Sequence, residues 1–261
     1  MAGSIRFANS ELVGAPLGRL QDLRGNRIAY VFQSPMSSLN PLLRVGEQIT
    51  ETILRHQATT RRAAEQRAVE LMRSVHIPDA AGRLGAFPHE LSGGMQQRVC
   101  IAIALANDPD VIIADEPTTA LDVTIQAQIL RLLSELRHTR RLSLLLISHD
   151  FGVLSAICDR IVVMYAGQVV ETGTLEEIHR DPRHPYTRRL MACVPKLTGR
   201  DQTLVAIPGM PPAIDRLPRG CHFADRCHMA LPACRERPVA LSEHGPGRLV
   251  RCIRAGEENG P

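Results

Sequence analysis

The chain has 261 residues, 44% of them hydrophobic and 22% charged, with a formal net charge of +4. That is the make-up of an ordinary globular protein, long enough for one large core or for a core with a small appendage. Aromatics amount to 3% and no basic stripe carries interleaved aromatics, which argues against nucleic-acid binding and against stacking platforms for single strands.

Apolar runs such as Leu142–Ile147 and Ile161–Tyr165 are strand-sized and far short of a membrane span. Met1–Ser10 is mixed and polar rather than basic-then-apolar, so a chain that stays in the cytoplasm is expected. Arg27–Gln33 reads as a strand after the Gly25-Asn26 turn signal. Val45–His56 and Thr60–Val75 have helical apolar spacing. Pro78, Gly82, Gly85 and Pro88 then break the chain before Leu91–Asn107, where Ser92 is a good N-cap for a buried helix.

Val111–Ala114 predicts a short strand ending in Asp115-Glu116-Pro117, followed by a helix over Val123–His138, a strand over Leu142–Ile147 and a short helix over Asp150–Cys158. Ile161–Tyr165 and Gln168–Thr172 read as a hairpin-like pair. The alternation of strand and helix from residue 108 to 165 predicts a parallel sheet covered on both faces. From about residue 195 the chain turns rich in Pro, Gly, Arg and Cys, which places a boundary near Pro195.

Four segments carry chemistry, in a fixed order. Ser92-Gly93-Gly94 at a helix start frees backbone N–H groups to approach an anion, with a hydroxyl and the helix dipole in support, although a capped helix after a glycine turn looks the same. Asp115 and Glu116 close an apolar strand at the carboxyl edge of a sheet, where one carboxylate can hold Mg2+ and the other can orient or deprotonate water; a solvated polar pair is the plainer alternative. His149, after the strand Leu142–Ile147, can reach a γ-phosphate, or can be a solvent-facing loop residue. Gln33, at the end of the first strand, says little by itself.

Taken together these residues resemble the ABC ATPase family. Phe32–Pro35 (FQSP) looks like the Q-loop, Leu91–Arg98 (LSGGMQQR) like the signature, and Val111–Pro117 (VIIADEP) like Walker B. Thr118–Asp122 (TTALD) resembles the D-loop and Ser148–Asp150 (SHD) the switch histidine. The resemblance implies an α/β, parallel-sheet P-loop NTPase-like core over residues 1–195, with a helical signature subdomain at about 40–107, and ATP with Mg2+ as cofactors. By position it implies Asp115 and Gln33 toward Mg2+, Glu116 as general base, and His149 on the γ-phosphate. Gln33 would also link the site to the membrane subunits. Ser92, Gly93, Gly94 and Gln96 would contact nucleotide held mainly by a second ATPase subunit, identical or not, with Asp122 at that dimer interface.

The phosphate loop G-x-x-x-x-G-K-[ST] is not in the sequence, whose single lysine, Lys196, follows no glycine loop. Family members carry that loop upstream of a stretch like Gly3–Phe7, so the expectation is a cassette incomplete at its N-terminus. A misassigned gene start ranks ahead of a true deletion and of a split subunit as the explanation. Such a chain alone is expected neither to bind ATP tightly nor to hydrolyse it, and its sheet to expose an apolar edge and flank.

The tail, residues 196–261, is read as a small Cys-rich extension. His184-Pro185-Tyr186-Thr187, Gly220–Phe223, Cys227, Cys234 and Cys252 resemble the C-terminal region of di- and oligopeptide ABC importers, a pattern that nickel and other small-solute importers share. The spacing Cys-x5-Cys-x6-Cys-x17-Cys allows Cys221, Cys227, Cys234 and Cys252 to close around one metal. The resemblance implies a [4Fe–4S] cluster, with Zn as the alternative and unligated thiols as the third reading. Cys100, Cys158 and Cys193 are expected to be buried small hydrophobes. The expected role is an energy-coupling ATPase at the cytoplasmic face of the membrane, bound to permease subunits and served indirectly by a peptide-binding protein. The competing readings are a non-catalytic interaction subunit or remnant, and a soluble repair or translation ABC protein.

Overall fold

The structure is a computed structural model that describes residues 3–119, 121–193 and 206–255. The chain divides into two compact units, Met1–Val153 and Leu154–Pro261. The boundary expected near Pro195, and Lys196 with it, lies outside the described residues.

The first unit opens with a two-stranded antiparallel ribbon, β1 (Arg6–Phe7) and β2 (Ser10–Glu11), and helix α1 (Leu17–Leu23). Next come strand β3 (Ile28–Val31), the short α2 (Pro35–Ser38), and the helices α3 (Val45–His56), α4 (Arg61–Ser74), α5 (Ala80–Arg83) and α6 (Gly93–Ala104). Val45, Ile49 and Ile53 recur at four-residue intervals and are buried on one stripe of α3, which packs on α4 and α6. Thr60 caps α4 by accepting the Ala63 N–H at 3.2 Å. Strand β4 (Val111–Asp115), helix α7 (Val123–Arg140) and strand β5 (Ser143–Ile147) complete the core, with α8 (Phe151–Ile157) after it.

β3, β4 and β5 form one parallel sheet in that order, with Ala29 opposite Ile112 and Ile112 opposite Leu144. Alternation sorts its two faces: Ala29, Val31, Ile112, Ala114 and Leu146 are buried, while Tyr30, Leu145 and Ile147 lie 40%, 53% and 45% exposed. The sheet is thus covered on one face, not on both as expected, and the apolar flank expected from the sequence is present. A side-chain brace joins distant helices: Asp108 receives both Arg67 from α4 and Arg140 from α7, at 2.9 and 2.6 Å.

The second unit is built on an antiparallel sheet. Strands β6 (Arg160–Tyr165) and β7 (Gln168–Thr174) make the expected hairpin, so β6 does not extend the parallel sheet. Helices α9 (Leu175–Arg180), α10 (Pro185–Ala192) and α11 (Ala233–Glu236) follow, then β8 (Ser242–Glu243) and β9 (Leu249–Val250). β9 pairs with both β7 and β8, giving the order β6-β7-β9-β8. The Cys-rich tail therefore contributes two strands, β8 and β9, and, through fully buried Phe223, a core residue packed edge-on to Tyr165 at 5.2 Å and beside Tyr186. Cys100 is buried as expected, whereas Cys158 and Cys193 are partly exposed, one beside each helix end.

Buried charge ties β7 to the tail. Glu171 is wholly buried and accepts the Arg183 and His184 backbone N–H groups, each at 2.9 Å, and Arg248 Nη2 at 3.0 Å. Arg248 also reaches Asp181 Oδ2 at 3.1 Å and the Asp181 carbonyl.

Candidate functional site

Parallel strands place their carboxyl ends on one rim, and the chemistry-bearing residues stand there. Asp115 is the last residue of β4, Glu116 follows it, Gln33 lies two residues past β3 and His149 two residues past β5. Glu116 is the hub. Its Oε2 accepts Gln33 Nε2 at 2.6 Å and Thr119 Oγ1 at 2.9 Å, and its Oε1 lies 2.9 Å from His149 Nδ1. The Glu116 backbone has φ of 43°, a left-handed conformation for a residue with a side chain, anchored where its N–H donates to the Ile147 carbonyl at 2.9 Å. This turn aims the carboxylate across the strand ends.

Mutual attraction sets the protonation states. The His149 contact, then the Thr119 hydroxyl and the Gln33 amide, hold the Glu116 carboxyl below the usual carboxylate range. The same contact raises the His149 imidazole above its ordinary value. Beside them, the Tyr30 hydroxyl donates to Asp115 Oδ2 at 2.7 Å, which raises the pKa of the phenol.

Sequence reasoning found Gln33, Asp115, Glu116 and His149, and the structure gathers all four on this rim. It missed Thr119 and Tyr30. Thr119 sits three residues after Glu116 in the same turn, and Tyr30 projects from the exposed face of β3, one strand from Asp115; both positions follow once the strand registers are known.

The signature residues occupy a second place in the same unit. Ser92 caps α6, accepting the Met95 N–H at 3.4 Å, and Asp122 caps α7, accepting the Ile125 N–H at 2.9 Å. Gly93 and Gly94 form the first turn of α6 against the start of α7; a Cβ on Gly94 would stand 2.7 Å from Ile125 Cγ2. Gln96 turns inward: it is 7% exposed and its Nε2 donates to the Pro88 and Leu91 carbonyls at 2.8 and 3.1 Å, so it braces the loop before α6. Of the segment Thr118–Asp122, Ala120 lies outside the described residues.

In the second unit Cys221, Cys227, Cys234 and Cys252 line one cavity of about 20 Å³. None of these four is in a disulfide. Burial raises the thiols of Cys221 and Cys227, and pushes Cys252 up to about 11. Backbone N–H groups point at the sulfurs: Leu231 at Cys234 Sγ and Arg254 at Cys252 Sγ, each at 3.4 Å, with Phe223 serving Cys221 and Met229 serving Cys227. Among the described residues no three His, Cys, Asp or Glu side chains stand at metal-ligand geometry.

Comparison with known proteins supplies the family. The ABC transporter profile matches residues 1–119, and that of the oligopeptide/dipeptide transporter C-terminal region matches residues 170–234. The dimeric, ADP- and Pi-bound ATP-binding cassette MJ0796 covers 67% of this chain and 74% of its own, with a TM-score of 0.59 and 30% identity. CbiO1 of Clostridium perfringens covers 69% of each chain with a TM-score of 0.60 and 26% identity. Fold and rim together define an ABC-type ATPase.

The oligopeptide transport ATP-binding protein AppD of Bacillus subtilis is 47% identical over 258 residues, 99% of this chain and 79% of that protein. Its Escherichia coli counterpart OppD is 44% identical over 258 residues, 99% of this chain and 76% of that protein. The chain belongs to the oligopeptide/dipeptide family of ABC-transporter ATP-binding proteins.

Proposed function

We propose that this chain couples ATP hydrolysis to the import of di- or oligopeptides, pairing with a second ATPase subunit and docking on permease subunits at the cytoplasmic face of the membrane. Among the described residues no helix is long and apolar enough to cross a membrane, so transport requires those partners. The reading rests on one observation above the rest: Gln33, Thr119 and His149 converge on the Glu116 carboxylate at the rim of the parallel sheet.

Glu116, kept ionised by its three partners, is positioned to accept a proton from an attacking water. Gln33 and Thr119 orient it, and His149 is the group free to turn toward a γ-phosphate, being 76% exposed at its side chain. Asp115 and Gln33 are the residues that would hold Mg2+, which when bound neutralises charge on the phosphates. The fit is chemical: hard oxygen donors at the edge of a sheet suit that ion. Ser92, Gly93 and Gly94 would face nucleotide on the partner subunit, with Asp122 beside them; Gln96 is the exception, spent on loop carbonyls.

The 261 residues contain no phosphate loop, and their one lysine is Lys196. Backbone amides and a lysine for the β- and γ-phosphates must therefore come from outside these residues. The test is ATP turnover by the 261-residue chain and by that chain joined to a phosphate-loop segment from a relative such as AppD. Background turnover in the first, and turnover abolished by Glu116→Gln in the second, are expected. Turnover by the second that survives Glu116→Gln would remove Glu116 from the mechanism.

The four cysteines are proposed to hold a structural metal centre. Four thiols with an amide hydrogen bond at each sulfur form a donor set suited to thiolate–metal bonds, and binding would draw the sulfurs together and deprotonate them. An iron–sulfur cluster is the favoured occupant by family resemblance, with a single zinc ion as the alternative. Iron, sulfide and zinc contents of the anaerobically isolated protein decide between them, and a protein with none of the three would end this reading.

A further inference from the structure

Tyr30 stands where a hydroxyl can fix one half of the Asp115 carboxylate. Its neighbours Ala29 and Val31 are buried, so Tyr30 projects from the other, exposed face of β3. The parallel register sets Tyr30 against Ile113, and Asp115 lies two residues further along β4, on that same face. Strands about 4.8 Å apart, with a rise of about 3.3 Å per residue, put the two Cα atoms about 8 Å apart. A phenol and a carboxylate close that gap between them, with Tyr30 Oη donating to Asp115 Oδ2 at 2.7 Å.

The contact is directional. An ionised carboxylate can only accept, so the phenol is the donor and its hydrogen faces Asp115. The Phe32 ring packs beside the Tyr30 ring, with centroids 4.5 Å apart, and leaves it less room to swing. Among the described residues no hydrogen bond engages Asp115 Oδ1. One carboxylate oxygen is tied and the other is open at the rim.

We propose that Tyr30 is a positioning residue for Mg2+, its hydroxyl holding Asp115 through Oδ2 so that Oδ1 is left for the cation. The inference rests on the reading above that Asp115 holds Mg2+. A carboxylate already kept in one rotamer loses less freedom when a cation arrives. Groups hydrogen-bonded to a metal-ligating side chain typically contribute about 10–100-fold in metal affinity.

The test uses the 261-residue chain with Mn2+ as the probe, free Mn2+ being read by electron paramagnetic resonance and Mg2+ added as the competitor. The wild type is expected to bind Mn2+ at a site that Mg2+ empties and that Asp115→Asn removes. Tyr30→Phe keeps the ring against Phe32 and deletes only the donor. Its Mn2+ affinity should fall about 10-fold or more, with its far-ultraviolet circular dichroism unchanged. Leu145→Ala trims an apolar side chain of the same exposed face, keeps the hydrogen bond and should bind Mn2+ like the wild type. Wild-type affinity in Tyr30→Phe overturns the proposal. An equal loss in Leu145→Ala does so as well, by making the effect one of the sheet face in general. Mn2+ binding indifferent to Asp115→Asn removes Asp115 from the Mg2+ site and this inference with it, whereas the other two outcomes leave that reading standing.

Discussion

Gly94 and Ile125 are in such close approach that a methyl group on Gly94 would lie 2.7 Å from Ile125 Cγ2. The first turn of the signature helix thus rests directly on the first turn of the helix that Asp122 caps. Gly94→Ala adds helix propensity worth up to about 1 kcal/mol, but Ile125 is β-branched and stiff, and overpacking costs about 1–3 kcal/mol. Net destabilisation is expected in urea unfolding. Ile125→Ala in the same chain should recover most of it, and a double-mutant cycle with no coupling between the two sites would contradict the contact.

The pair His149 and Glu116 should be visible in titration. His149 is raised by Glu116, so its share of the attraction is complete below its unfolded value and fades as pH rises through the folded one. Glu116 is lowered, so its share is present above its unfolded value and fades as pH falls through the folded one. Between these limits the pair is intact. Proton NMR of the imidazole should give His149 a midpoint above that of an unperturbed histidine, and Glu116→Gln should bring it down; a midpoint indifferent to that change would rule the pair out in solution.

The two helix caps offer a graded comparison. Asp122 accepts its amide at 2.9 Å and Ser92 at 3.4 Å, and Asp122 adds a negative charge at the helix N-terminus. Asp122→Ala should therefore cost more than Ser92→Ala, within the range of about 0.5–2 kcal/mol known for caps. Denaturant midpoints of the two variants measure the order directly.

Arg248→Met leaves the Glu171 carboxylate buried without its cation. The loss should be about 3–5 kcal/mol, the usual scale for breaking a buried pair from one side. Because Glu171 and Arg248 are 77 positions apart, the variant should also loosen β9 from β7, read as faster proteolysis after Gly247.

The helix over Val45–His56 was legible to the residue, and Ser92 and Thr60 were legible as caps or cap-adjacent starts, because helix periodicity and capping are written within a few neighbouring positions. The carboxyl end of the Leu142–Ile147 strand was legible in the same way, whereas β3 stops at Val31, two residues short of the expected Gln33, and β4 runs one residue further than expected, to Asp115. The fate of Gln96 was not legible. It lies inside the signature segment yet faces the loop before its own helix, since a helix has a buried side that a linear motif does not mark.

Sequence alone therefore carried the family resemblance, the order of strand and helix in the core, and the polar residues at or just past each strand end, all of them local patterns. Tertiary structure decided what those residues do to one another. The parallel register brings Gln33, Thr119 and His149 onto a single carboxylate, and the pairing of β9 with β7 buries Glu171 against Arg248. It also set four cysteines and His184 around one cavity. Such juxtapositions join residues tens of positions apart, where the cost of closing the chain is repaid only by the packed core as a whole.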